Sequence, residues 1–252
     1  IHNDAETLSR GAYIYAHSCS DCHGANLAGT AILDDPAIGY LPASNLTSGS
    51  GGIGQSYTDY DYVLALRHGI GKDGRALMIM PSKAFWYLSD SDLAAVIAYV
   101  KSVPAVDNDL GPRELRLMGK VLNGMGAFGE VFSAEVIDHT GERPAVPAAG
   151  LTVEYGEYLA NSHGCWECHG DDYAGAQPGE PGAPYSSNLT PDGPLGDWLT
   201  DEFISTMRDG TTPDGRQLDG DFMPYKELGR MNDDDLTALF LFLQSLPGLE
   251  DN

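Results

Sequence analysis

The chain has 252 residues, with 37 acidic against 14 basic side chains, a formal net charge of −23 and a pI near 4.3. That balance excludes a nucleic-acid binder, which needs cations to displace phosphate counterions. No run approaches the roughly 18–20 apolar residues of a membrane-spanning helix. Such a surface steers towards basic partners and equally keeps a chain soluble, and the length suffices for two domains with a core each.

In chain order, Leu8, Ala12 and Tyr15 at helical spacing predict a helix over residues 7–17. It runs into Cys19-Ser-Asp-Cys22-His23-Gly24, and Ser44-Asn45-Leu46-Thr47 follows. An acidic start and a basic end mark a helix over 59–67, stopped by Gly69. Asp73-Gly74-Arg75 and Met80-Pro81 come next, and then a strong helix over 89–102, opened by Ser89-x-x-Asp92 and closed by Pro104. Residues 106–150 are rich in Pro and Gly at both ends. Their middle, 113–123, has helical periodicity, and 143–150 has linker composition.

The same series then returns. A helix is predicted over 152–161, followed by Cys165-Trp-Glu-Cys168-His169-Gly170 and Ser187-Asn188-Leu189-Thr190. A helix over 201–208 stops at Gly210, and Asp214-Gly215-Arg216, Met223-Pro224 and a helix over 232–245 before Pro247 complete the copy. The histidines lie 146 residues apart and the Asn-Leu-Thr segments 143, a drift that loop insertions produce. Strand signals are scarce. The expected fold is all-α, with helical domains over 1–105 and 151–252 joined by a partly helical segment over 106–150.

All four cysteines fall in the two Cys-x-x-Cys-His pentapeptides. Two thiols three residues apart on one helical turn suit the two vinyl groups of one porphyrin, and the next histidine then lies under the iron. Zinc would need four ligands per site where three are at hand, a thioredoxin-type motif needs a βαβ setting, and two disulfides leave the adjacent histidines unexplained. Two covalently bound haems of the c type are therefore expected, with Cys19, Cys22, Cys165 and Cys168 as attachment points and His23 and His169 on the irons.

With these motifs the chain resembles the class I c-type cytochromes, specifically two-domain dihaem forms, some of which are electron-accepting subunits of periplasmic dehydrogenases. The resemblance covers both copies nearly whole, and it implies a methionine sulfur as sixth ligand. Met80 lies 57 residues after His23 and Met223 lies 54 after His169, and each precedes a proline that favours a loop. Met78, two residues before Met80, shares its face on an extended segment and competes for that role; repeat alignment favours Met80. The remaining methionines read as structural. By the same resemblance, the matched aromatics Tyr57 and Trp198 and the matched Arg67 and Arg208 are candidates to hold haem propionates, with core packing and helix capping as the plain alternatives. The carbonyls of Pro36 and Pro181 are candidates to orient the ligand histidines. Asn45-Leu-Thr and Asn188-Leu-Thr fit the glycosylation pattern, but their repetition argues for a shared turn beside the haem. His17 and His163, flanking the cysteines, are placed to approach a haem edge, with solvated or satisfied surface residues as the default reading.

The function expected is one-electron transfer without bond chemistry. The expected partners are redox proteins, a dehydrogenase and a terminal oxidase or another cytochrome, docking through a basic face. The chain opens at Ile1 with no basic, apolar leader, which reads as a periplasmic or otherwise exported protein after signal cleavage. The alternative is a dihaem enzyme of peroxidase or thiosulfate-oxidising type, which must keep one iron open.

Overall fold

A computed structural model describes residues 1–178 and 182–252. The chain divides into two compact units, residues 1–82 with 89–137 and residues 83–88 with 138–252.

In the first unit, α1 (Ala5–Ser18) starts at Asp4, whose carboxylate accepts from the Thr7 amide at 2.8 Å. It is followed by the single turn α2 (Ser20–His23) and by two strands, β1 (Thr30–Asp35) and β2 (Gly39–Ala43). Helix α3 (Asp59–His68) is capped by a reciprocal Thr58–Asp61 pair. The short α4 (Ser82–Phe85) falls almost wholly in the stretch that belongs to the second unit, and the chain returns to the first with α5 (Asp90–Ser102), which is capped by Ser89, as the Ser89-x-x-Asp92 pattern predicts. Strand β3 (Glu114–Leu115) and α6 (Leu117–Gly124) complete the unit.

The second unit repeats the helical part, with isolated bridges at Ala176–Ser186 and Thr211–Gln217 in place of strands among its described residues. Helix α7 (Val153–Ser162) is capped by Thr152, and α8 (Cys165–His169) carries the second cysteine pair. They are followed by α9 (Thr200–Asp209), the single turn α10 (Tyr225–Leu228) and α11 (Asp233–Ser245), capped by Asn232. The architecture is helical and two-domain, as expected. The small sheet was not: β1 pairs antiparallel with β2, from Thr30 against Ala43 to Asp35 against Gly39, and β2 pairs antiparallel with β3. The turn is fixed by the Asp35 carboxylate, which accepts from the Ala37 and Ile38 amides. The hairpin escapes a periodicity scan because β1 is half-exposed and has no clean alternation.

Each unit is organised around one helix crossing. Helix α1 lies on α5 at Gly11, and α7 lies on α11 at Gly156. A Cβ on Gly11 would sit 2.0 Å from the Ala95 carbonyl oxygen, and one on Gly156 would sit 2.0 Å from that of Ala238. Hydrogen at these positions allows the backbones to touch, and apolar side chains close around them. In the first unit these include Ile14, Tyr15, Val96 and Ile97. In the second they include Leu159, Leu236, Leu239 and Leu243, with Phe203 stacked on Phe240 at 5.1 Å. Arg10 adds a two-toothed ion pair to Asp92 across the first crossing, with both contacts at 2.8 Å.

A side chain at either crossing must push two helices apart. Gly156→Val should lower unfolding free energy by roughly 3 kcal/mol, at the upper end of overpacking costs. Gly150→Ala, where no atom lies within 4 Å of the added carbon, should be near neutral. Denaturant unfolding of both variants checks this, and equal stabilities would contradict it.

Candidate functional site

In each unit the first helix of the crossing delivers the chain to a cysteine pair. Cys19 follows α1 and its amide donates to the Tyr15 carbonyl. Cys22 and His23 lie on α2, where the His23 amide donates to the Cys19 carbonyl at 3.0 Å. In the second unit Cys165, Cys168 and His169 share the one turn of α8. The four thiols are free rather than paired as disulfides. Burial, with Cys22 and Cys168 adding repulsion, pushes the Cys19 and Cys165 thiols up to about 12. Among the described residues, no three His, Cys, Asp or Glu side chains are grouped to hold a metal ion by themselves.

The turn after each histidine repeats bond for bond. The Gly29 amide donates to the His23 carbonyl and the Gly175 amide to that of His169, both at 2.9 Å. Leu27 and Tyr173 occupy the same place in that turn, both with left-handed backbones, φ 61° and 62°. Their carbonyls accept from the Leu46 and Leu189 amides, each at 2.8 Å. This brings a serine carbonyl onto each histidine: Nδ1 of His23 donates to Ser44 O at 2.9 Å, and Nδ1 of His169 donates to Ser187 O at 2.7 Å. A carbonyl accepts only, so Nδ1 carries the proton and Nε2 keeps its lone pair for a metal. Burial lowers the pKa of both rings, partly offset by these bonds, and so favours the neutral form that ligates.

The histidine partners therefore differ from those expected. Pro36 lies exposed in the β1–β2 turn, and Pro181 falls outside the described residues. Backbone carbonyls leave no residue-type signature, but the serines stand directly before the repeated Asn-Leu-Thr, and that repeat was the available signal.

Asn45 and Asn188 are almost wholly buried, at 1% and 2% exposure, and so are closed to glycosylation. The Asn45 side-chain oxygen accepts from the Thr47 amide and hydroxyl, and its Nδ2 donates to Val106 O at 2.8 Å. Asn188 accepts likewise from Thr190 and donates to Leu249 O at 2.7 Å. In both units the turn that presents the serine carbonyl is thus clamped to the chain leaving the last long helix.

Met80 and Met223 both lie half-buried in loops, each followed by proline and a single helical turn. Met223 packs against the core of its unit, where Met207 and Met231 are buried outright. Ile79, between Met78 and Met80, has a φ of 69°. That residue breaks the extended run that would have placed both methionine side chains on one face.

Arg67 and Arg208, at matched helix ends, each form a 2.7 Å ion pair with the first residue of the following long helix, Asp90 and Asp233. Tyr57 and Trp198 stand just before α3 and α9, both half-buried. The Tyr57 hydroxyl accepts from the Lys72 amide at 3.3 Å, and Trp198 packs on the core of the second unit. His17 is buried rather than solvated, with Nδ1 2.9 Å from the Ser18 hydroxyl, and Nδ1 of His163 is bound locally to Leu159 O.

Paired thiols on one turn, beside a histidine whose free nitrogen is directed by a carbonyl on the other, form the donor set of a covalently held haem, and these residues fit it. The chain belongs to the cytochrome c family, whose model matches residues 8–104 and 153–247. It is 29% identical to the fructose dehydrogenase cytochrome subunit of Gluconobacter japonicus, over 96% of this chain and 53% of that one. It is 30% identical to the cytochrome c subunit of the quinone alcohol dehydrogenase of Gluconobacter oxydans (strain 621H), over 98% of this chain and 56% of that one. It is 28% identical to the gluconate 2-dehydrogenase cytochrome c subunit of Pantoea cypripedii, over 97% and 60%. The chain thus spans little more than half the length of these relatives.

Removing the clamp should be costly in either unit. Asn45→Leu strands the Thr47 amide in a buried place and leaves Val106 O only the Thr47 hydroxyl as donor, which costs about 1–3 kcal/mol at the ordinary penalty for a stranded polar group. Denaturant titration of the holoprotein reads this directly. A loss below about 0.5 kcal/mol, within the range of an ordinary surface substitution, would contradict the assignment.

Proposed function

We propose that the chain carries two haem c groups, one on each Cys-x-x-Cys-His turn, and passes single electrons between protein partners. The observation that carries this reading is the duplication of the histidine support: the same carbonyl, the same buried Asn–Thr clamp, and a Met-Pro loop 57 or 54 residues later. Each bound group supplies a reversible one-electron iron couple. The polypeptide supplies the rest. Cys19 and Cys22, or Cys165 and Cys168, would tether the macrocycle, and Nε2 of His23 or His169 would ligate the iron. The thioethers of Met80 and Met223 would serve as the further ligands, and His/Met ligation would raise the potential relative to two histidines, which suits acceptance of electrons from mild donors. Tyr57 with Arg67, and Trp198 with Arg208, lie at matched places and would be the residues to meet the propionates, the arginines being already paired with Asp90 and Asp233.

The cytochrome domains are assigned to 1–105 and 151–252, with 106–150 between them. The donor is a dehydrogenase, a reading supported by relatives that are cytochrome subunits of dehydrogenases, and the acceptor is a terminal oxidase or another cytochrome. The net charge of −23 suits a partner with a basic docking face. The chain works outside the cytoplasm. No helix among the described residues is long and apolar enough to cross a membrane.

Ligation is tested by deleting the thioethers one at a time. Met80→Ala and Met223→Ala should each remove about half of the sulfur–iron band at the red edge of the ferric spectrum, since two equivalent sites contribute to it. Met78→Ala should leave the band whole. Loss with Met78→Ala instead of Met80→Ala would reassign the first site. Fast, stoichiometric carbon monoxide binding to the reduced native protein would favour an enzyme with an open iron.

A further inference from the structure

The two methionine loops are held in different ways. In the second unit the hold is local: the Met223 amide donates to Asp219 O at 2.8 Å, and Met223 O accepts from the Tyr225 amide at 2.7 Å. In the first unit the connecting segment returns across the loop. Arg113 Nη1 donates to Ala76 O at 3.1 Å, and the Ile79 amide donates to Val131 O at 2.7 Å. The hydroxyl of buried Ser133 donates to Met80 O at 3.0 Å, beside the local bond from the Ser82 amide at 2.8 Å. At Gly69, which ends α3, a Cβ would come within 3.1 Å of the Ala134 nitrogen, so the segment lies close along the loop.

Ile79 itself is the outlier. A β-branched residue at φ 69° is strained, and such strain persists only where surrounding bonds over-determine it. Its amide is the one bound by Val131. Phe222, which stands before Met223 as Ile79 stands before Met80, has no such backbone.

We propose that Val131 and Ser133 are positioning residues for Met80, so that the hold on the sixth ligand at the first haem depends on the connecting segment, whereas the hold at the second haem does not. This rests on Met80 being that ligand. Residues 131–133 then act as a strap rather than as part of a linker. They fix the backbone on both sides of the methionine's Cα and slow the departure of its sulfur from the iron. The consequence is asymmetric: a change in the segment alters one site and leaves the other as an internal reference.

The test uses full-length ferric holoprotein and measures how fast added imidazole displaces the sulfur ligand. Two kinetic phases are expected, assigned to the two haems with Met80→Ala and Met223→Ala. Ser133→Ala removes one hydrogen bond, worth about 1 kcal/mol, and should speed the first-haem phase about fivefold while leaving the second unchanged. Ser133→Thr keeps the hydroxyl and should restore the native rate to within about twofold, since the bond itself is retained. If Met80→Ala removes a phase but Ser133→Ala leaves that phase unaltered, or accelerates both phases equally, the strap is overturned. If Met80→Ala removes no phase, the ligand assignment fails, and the strap fails with it.

Discussion

A histidine ring turns about two torsions, and a metal accepts it only when its nitrogen faces the right way. In this chain that freedom is removed by one hydrogen bond per copy, from Nδ1 to Ser44 O or Ser187 O. The bond fixes both the tautomer and the ring plane. It depends in turn on where the serine carbonyl lies, and that is set by the buried Asn45–Thr47 or Asn188–Thr190 turn. The asparagine reaches past α5 or α11 to Val106 O or Leu249 O, so the histidine is registered against the long helix of its own unit. The helix crossing at Gly11 or Gly156 then sets where the cysteine turn begins. Attachment turn, histidine and core form one connected set of contacts, which explains why the order of motifs is retained while loop lengths drift.

Around that shared frame the copies diverge. The first carries a hairpin and a wrapping segment that reaches Ile137, and its methionine loop is bonded from outside. The second packs Tyr173 edge-on to Phe242 at 5.5 Å, and holds its methionine loop from within. Two sites with the same donors but different support are a physical route to two different potentials, because ligand orientation and solvent access tune a haem as much as ligand identity does.

Much of this was legible in the sequence for a specific reason: caps and attachment motifs are local. Thr152, Ser89 and Asn232 each accept from the amide three residues on, so those helix starts could be read directly. The first helix begins two residues earlier than its periodicity suggested, because Asp4 rather than an apolar residue defines its start. What was not legible is what depends on partners distant in sequence or on groups without identity. Ser44 and Ser187 act through backbone carbonyls that any residue has, and Pro36 was the wrong candidate for that reason. The bonds from residues 106–137 to the Asn45 turn and the Met80 loop join positions roughly 40–60 apart, beyond the reach of a periodicity argument. Ile79's left-handed backbone had no signal at all, since nothing in its side chain favours it.

The central claim is that both histidine turns are built for the same covalent task, and mass spectrometry of the native protein tests it most directly. The mature chain should weigh more than its polypeptide by two haems, and a Cys165→Ala/Cys168→Ala variant by one. A native mass equal to that of the bare polypeptide would contradict the account.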